Sequence, residues 1–429
     1  MSNIQITKIN PNFSVVTDNI PHLASAALGV FLSHGSRYET KENQGITHMI
    51  QHMLFKGTKN KSAKDIASLT ESAGAVLDGF TSRETSGIYC RYFADSFDLM
   101  MDLVGELISQ SEFDINELEK EKNIIENEIN ASLEDPQEQV FLLLYEAMFK
   151  EHPLSFLTLG NYESVRSMTR EKIVDYYHNN FLRSEVCISA AGKIDHNKLV
   201  DRLIASDYLL FIPKPSQLQT PPTKIERTSI VQNRPDLTQV HVCSGQFTHP
   251  YKDQRRYGLN VLDYILGGSS SSRLFHRIRE LEGLVYLIDS FLELYSDVGI
   301  MGAYYVTDIN NFERVSIAGL EEVIKLQQYG LTTEELERGV NFCKAMFVIG
   351  TEDPMSRMIR NARNMILLGN PISIDEAIAG YERLTMNDIN MLVAELKPAE
   401  YFSSAVGQAP HIKVVSEVIK MTTKLIVKN

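Results

Sequence analysis

Cysteine is scarce: Cys90, Cys187, Cys243 and Cys343 are the four in 429 residues, and none forms a CxxC pair. That excludes a disulfide framework and a cysteine-based zinc module. Cys90, Cys187 and Cys243 sit in apolar, strand-like runs and read as buried core thiols. No apolar stretch approaches the ~18–20 residues that span a bilayer, so no membrane association is expected. Met1–Asn10 shows neither a basic start before an apolar run nor an Arg-rich transit pattern. The expected location is therefore cytoplasmic, with a periplasmic one left open. Positive charge is the minority sign, 42 Lys+Arg against 55 Asp+Glu, for a net charge of −13. That argues against general phosphate-backbone binding, and no nucleic-acid partner is expected. Neither a GxGxxG nor a P-loop occurs in its expected context, which argues against dinucleotide and nucleotide enzymes. What is present is ordinary for a soluble globular protein: 43% hydrophobic and 23% charged residues.

The clearest break is Ile212–Lys224, IPKPSQLQTPPTK. Its four prolines cannot sit in a helix interior or a central strand. Residues 213–224 therefore read as a proline-rich linker between an N-terminal half, 1–212, and a C-terminal half, 225–429. The halves share a coarse order. Each opens with β-like segments, around 4–32 and around 225–245. A helix-like apolar stretch ending in glycine follows, Gly45–Gly57 and Tyr257–Gly268. Two β-like runs come next, Ala75–Phe80 with Gly87–Phe93 and Val285–Leu292 with Gly299–Thr307. Long amphipathic helices fill 94–149 and 310–367, and each half closes on an apolar run, Cys187–Ala191 or Tyr401–Val406. Strands mixed with runs of helices predict α+β halves, and the repeat suggests duplication with a site between the halves.

The sharpest chemical feature is Gly45-Ile-Thr-His48-Met-Ile-Gln51-His52-Met-Leu-Phe-Lys-Gly57. The apolar residues around the histidines recur at helical spacing. On a helix, His48 and His52 are i and i+4, so both imidazoles leave one face. Two neutral imidazoles so placed can hold a tetrahedral Zn²⁺. Eleven histidines in 429 residues give about 0.3 such pairs by chance, so the pair alone is a weak signal. Asp114–Asn130 reads as a second helix, with Asp114 as N-cap and Leu118, Ile124, Ile125 and Ile129 as an apolar face. Glu121 and Glu128 are seven apart and share a face. A carboxylate there could complete a His₂Glu site, but the pattern does not select Glu128 from its neighbours.

The stretch resembles the inverted zinc motif H-x-x-E-H, and more specifically the pitrilysin/insulinase family in its processing-peptidase branch. That resemblance implies a third zinc ligand roughly 76 residues after the second histidine, at Glu128, and a supporting Glu121 seven residues earlier. His52-Met-Leu-Phe-Lys-Gly-Thr58 fits the same branch. In the second half, Gly267-Gly-Ser-Ser-Ser-Ser-Arg273 and Ile278-Arg279-Glu-Leu-Glu-Gly-Leu-Val-Tyr286 match as well. Arg279 and Tyr286 fall where the family contributes substrate-binding groups. Physically, a guanidinium and a phenol can hold a peptide carbonyl and its developing oxyanion. The implied fold is two homologous α/β-sandwich halves closing as a clamshell around a central chamber. The implied activity is that of a zinc metalloendopeptidase using a zinc-activated water on peptides or unfolded segments, with one Zn²⁺ per chain. A homodimer, or a heterodimer with a homologous subunit, is the implied assembly.

Two departures stand out. Gln51 occupies the position of the general-base glutamate, and a neutral amide accepts no proton. The chain as written is expected to bind metal but to be inactive or nearly so. Gln51 reads either as an engineered substitution or as a natural loss of catalysis. The alternative function is a catalytically silent subunit that binds peptides or scaffolds an active homologue. The second departure is Asp78-Gly79, where the family usually has Asn-Ala on the edge strand that pairs with substrate. Backbone pairing needs only main-chain groups, so Asp78 and Gly79 remain candidate substrate-binding positions.

Overall fold

A computed structural model describes residues 3–206 and 229–408, and the expected linker, 213–224, lies outside the described residues. The N-terminal half runs β1 (Ile4–Asn10), β2 (Phe13–Asn19), β3 (Ser25–Leu32), α1 (Ile46–Leu54), α2 (Ala63–Ser72), β4 (Val76–Thr81) and β5 (Ser86–Phe93). It continues α3 (Phe97–Gln110), α4 (Ile115–Glu134), α5 (Pro136–Phe149), α6 (Tyr162–Ser167), α7 (Arg170–Asn179), β6 (Val186–Gly192) and α8 (His196–Ala205). The C-terminal half runs β7 (Ser229–Asn233), β8 (Val240–Thr248), α9 (Arg256–Leu266), a π-helical segment Phe275–Leu281, β9 (Val285–Leu294) and β10 (Gly299–Thr307). Then come α10 (Phe312–Tyr329), α11 (Thr333–Gly350), α12 (Pro354–Leu368), α13 (Ile374–Glu382), α14 (Met386–Glu395) and β11 (Phe402–Gly407).

The first sheet has the order β1-β2-β6-β3-β5-β4 and the second β7-β11-β8-β10-β9. Setting β1 aside, the two orders correspond strand for strand. In each, one parallel pair, β2 with β6 and β7 with β11, joins an otherwise antiparallel sheet. The halves are therefore duplicated α+β folds. β4 and β9 are equivalent edge strands.

Among the described residues, those of Met1–Ala131, Phe156–Gln219 and Val348–Glu376 make one compact unit. Those of Ser132–Ser155, Thr220–Phe347 and Ala377–Asn429 make the other. Each unit thus takes one helix from the opposite half of the chain. In the first, α12 lays Met358, Ala362 and Met365 on Val16, Ala27, Phe31, Cys187 and Ala191. Ser189 Oγ donates to the Met358 carbonyl at 2.8 Å, and the Arg357 guanidinium reaches the buried Asp18 carboxylate at 3.2 Å. In the second, α5 buries Val140, Leu144, Tyr145 and Met148 with Cys243, Tyr304, Phe402 and Val406. Ser404 Oγ donates to the Val140 carbonyl at 2.6 Å. The opposite face of the first sheet carries its own half's helices, with Met49, Ile50, Met100, Leu107, Ile125 and Leu199 all buried. Cys90, Cys187 and Cys243 are buried free thiols, as expected, and Cys343 is half-buried. No helix of the described residues is long and apolar enough to cross a membrane.

Candidate metal centre

α1 owes its position to its apolar residues. Ile46, Met49, Ile50, Met53 and Leu54 are buried, which leaves His48, Gln51 and His52 on the remaining face. Its start is unusual. Gly45 adopts a left-handed φ of 82° and offers no side-chain cap. The cap comes instead from Glu39, whose carboxylate accepts from the Gly45 N–H at 2.7 Å and the Thr47 N–H at 2.9 Å. Burial raises the Glu39 carboxyl to about 7, against the pull of those two amides. Gly45 also packs where a Cβ would meet the Leu159 carbonyl at 2.4 Å. Sequence reasoning missed Glu39, because six residues separate it from the helix start and no capping pattern spans that gap.

α4 brings the carboxylates. Asp114 caps it, accepting from the Asn116 and Glu117 amides at 2.8 and 3.1 Å, as expected. The apolar face needs one correction: Leu118, Ile125 and Ile129 are buried, but Ile124 is 42% exposed. Without Ile124 the stripe runs Leu118, Glu121, Ile125, Glu128, at alternating steps of three and four. Glu121 thus occupies a buried position of the stripe, a spacing that could have singled it out, while Glu128, two turns on, keeps a side chain 41% exposed.

Glu121 is 2% exposed and bridges two groups of α1 and its continuation. Its Oε2 accepts from His52 Nδ1 at 2.8 Å and its Oε1 from Lys56 Nζ at 2.7 Å. A carboxylate only accepts, so Nδ1 carries a proton and Nε2 is the His52 nitrogen left to face a metal. His48 Nε2 and His52 Nε2 lie 3.9 and 3.8 Å from the same Glu128 oxygen. Those separations are too long for hydrogen bonds. Tetrahedral zinc bonds of about 2.0–2.1 Å place neighbouring ligands roughly 3.4 Å apart, so three donors at this spacing suit one ion. One ligand atom from each of His48, His52 and Glu128 falls within 4.8 Å of the others. Burial, with a smaller push from His52, lowers His48 to about 3, so its ring is neutral and able to ligate. The His48 Nδ1 is buried without a hydrogen-bond partner. The donor set therefore fits zinc: two imidazoles, one of them oriented by a carboxylate, and a carboxylate.

Gln51 lies over β4. A Cβ built on Gly79 would meet the Gln51 Nε2 at 2.6 Å, its Cγ at 2.8 Å and Phe55 Cε2 at 2.9 Å. Asp78, exposed on the same strand, accepts from the Gly79 N–H at 2.7 Å and from the Tyr89 hydroxyl at 3.4 Å. In the second unit, Arg279 on the π-helical segment sits over the Tyr286 ring of edge strand β9 at 5.6 Å, and Tyr286 is 76% exposed. The structure thus brings together His48, His52, Glu121 and Glu128, sets Gln51, Asp78 and Gly79 beside one another, and pairs Arg279 with Tyr286.

Family models match two consecutive stretches of the chain: insulinase (peptidase family M16) over residues 14–161 and the peptidase M16 inactive domain over 167–342. A Bacillus subtilis protein named uncharacterized zinc protease YmxG is 33% identical over 389 residues, covering 90% of this chain and 94% of that protein. The chain belongs to the insulinase family, peptidase family M16. Another family member, an uncharacterized zinc protease of Streptomyces coelicolor, is 28% identical over 96% of this chain and 89% of its own length. Solved structures agree at the level of the M16 fold. A peptidase M16 inactive domain from Pseudomonas fluorescens superposes with a TM-score of 0.85 at 18% identity, covering 94% of this chain and 98% of that one. A protease from Helicobacter pylori superposes with a TM-score of 0.85 at 17% identity, covering 95% and 100%.

Proposed function

We propose that this M16 chain holds one zinc ion through His48, His52 and Glu128 in a peptidase-type site that binds peptides or unfolded segments. The observation that carries this reading is the convergence of those three donors, with the His52 tautomer set by the buried Glu121. Bound zinc would polarise the scissile carbonyl and the attacking water. Glu121 holds the His52 ring so that Nε2 faces the metal position. β4 offers an edge for an extended peptide, at Asp78 and Gly79. Arg279 and Tyr286 supply a cation and a phenol for substrate carbonyls. The halves 1–212 and 225–429, joined by 213–224, are the proposed domains, assembling as a homodimer or with a homologous subunit.

Gln51 stands where this chemistry needs a base. Its amide can orient a water but takes no proton, and loss of a positioned base costs about 10²–10⁴ in rate. The chain is accordingly an inactive or nearly inactive peptidase. The test compares zinc-loaded parent and Gln51→Glu on a mixed peptide library, with metal content recorded. Cleavage by Gln51→Glu alone supports a peptidase silenced at one residue. A zinc-free protein, insensitive to His48→Ala, would sink the reading. The neutral amide of Gln51 at that position also supports a second reading, a silent peptide-binding or scaffold subunit of an active homologue. That reading takes over if Gln51→Glu binds zinc and peptide yet cleaves nothing.

A further inference from the structure

The free edge of β4 has a defined set of outward groups. The β4–β5 hairpin closes where the Ser82 N–H donates to the Thr85 carbonyl at 2.8 Å. Hydrogen-bonded pairs alternate from there along an antiparallel ladder. Phe80↔Gly87 and Asp78↔Tyr89 are then hydrogen-bonded, while Gly79↔Ile88 and Leu77↔Cys90 are not. The far side of β5 agrees. The Ala94 N–H donates to the Ala24 carbonyl, which turns Ile88 and Cys90 toward β3 and Gly87 and Tyr89 toward β4. Gly79 therefore points its N–H away from the sheet, at the position an added strand would pair with. That N–H is already taken: the Asp78 carboxylate accepts it at 2.7 Å, and Asp78 is itself steadied by the Tyr89 hydroxyl.

We propose that Asp78 is a built-in cap on the β4 edge, which an incoming peptide must displace before it can pair at Gly79. The inference rests on the peptide-binding reading above and adds the residue that sets its threshold. A peptide carbonyl is a neutral acceptor, whereas Asp78 is a charged one already in place, and charge-assisted hydrogen bonds are the stronger kind. The exchange is unfavourable at this position, so Asp78 weakens binding of every extended peptide that reaches it. It does so without blocking the outward groups of Leu77 and Thr81, which leaves strand addition possible but selective. Unpaired edges are commonly blunted by charge. Here the charge acts on a single amide, beneath the residue that replaces the general base.

The test uses the zinc-loaded full chain and a fluorescein-labelled, uncharged unfolded decapeptide, with affinity read by anisotropy for the parent, Asp78→Ala and Asp78→Asn. Amide exchange of the peptide-free proteins is followed over β4 by mass spectrometry. Asp78→Ala is expected to tighten binding about five- to tenfold, the worth of one exposed charge-assisted hydrogen bond, and to speed exchange at Gly79. Asp78→Asn keeps a neutral acceptor and should fall between. Equal or weaker binding by Asp78→Ala, with the parent binding normally, overturns the cap and leaves the peptide-binding reading intact. Unchanged exchange at Gly79 also overturns the cap, whatever the peptide does. Absence of binding by all three proteins with zinc bound removes both the reading and the inference.

Discussion

Replacing Glu121 by Gln should weaken zinc binding about 10- to 100-fold while leaving all three proposed ligands in place. The argument is one of acceptor count. Glu121 is buried and serves two donors, His52 Nδ1 on one oxygen and Lys56 Nζ on the other. Glutamine has a single oxygen, and its NH₂ must face either the imidazole N–H or the ammonium, donor against donor. If the oxygen stays with Lys56, His52 loses the bond that fixes its tautomer. If it stays with His52, a partly buried ammonium loses the carboxylate it is paired with. A lost hydrogen bond to a charged group costs about 1.5–3 kcal/mol, and each 1.4 kcal/mol is a decade in affinity. Outer carboxylates on metal-binding histidines fall in the same 10–100-fold range. The assay is competition against a chelator of known zinc affinity, at fixed pH and salt. Lys56→Met is the control: it removes the cation but keeps the His52 bond, and should shift the affinity no more than about threefold, the worth of a partly exposed ion pair. An unshifted affinity in both Glu121→Gln and Glu121→Ala refutes the orienting role. So does a Lys56→Met shift as large as that of Glu121→Gln.

Two further predictions follow from packing and burial. Gly319→Ala should stabilise the second unit. α10 gains about 1 kcal/mol of helix propensity, and the methyl enters a cavity of about 90 Å³, meeting only Ile278 and Leu274 at 3.9 Å. A midpoint of chemical unfolding that fails to rise rejects the cavity assignment. His34 is buried, bonded through Nε2 to the Tyr176 hydroxyl at 2.9 Å, and lowered to about 3 by desolvation. Its folded-state value lies below the unfolded 6.5, so its contribution is present above pH 6.5 and is lost as pH falls toward 3. The loss is about 1.4 kcal/mol per pH unit, or roughly 2 kcal/mol at pH 5. In the zinc-loaded protein, the drop in urea midpoint between pH 7 and pH 5 should therefore be smaller for His34→Gln than for the parent. Equal drops would show that His34 does not carry the acid sensitivity.

Much of the fold was legible because its signals are local. The helix of His48 and His52, the Asp114 cap, the repeated order of elements and the buried Cys90, Cys187 and Cys243 all follow from periodicity and composition over short windows. The proposed zinc ligands were half legible. The i, i+4 histidines are visible on one helix, but Glu128 became separable from its neighbours only through its 3.9 and 3.8 Å approach to their Nε2 atoms. Three features had no local signature. Glu39 caps α1 across a loop. The contact of Gln51 with Gly79 joins a helix to a strand 28 residues away and depends on how α1 lies across the sheet. The helix exchange is non-local by nature. Nothing in the apolar residues of α5 or α12 says which sheet will receive them, because an apolar stripe fits either of two duplicated surfaces.

That exchange carries a consequence for how such a chain could ever come apart. A polypeptide ending near residue 212 would keep the first sheet but forfeit α12, baring Val16, Ala27, Phe31 and Cys187. It would also carry α5, whose Val140, Leu144 and Met148 would have lost the strands they rest on. The complementary fragment would have the mirrored defect. Each piece would hold the helix that covers the other's sheet. Severing the chain between its halves would produce obligate complements, soluble in each other's company and aggregation-prone apart. Duplicated halves bound in this way cannot drift independently: a substitution on either sheet is tested against a helix encoded in the opposite half of the chain.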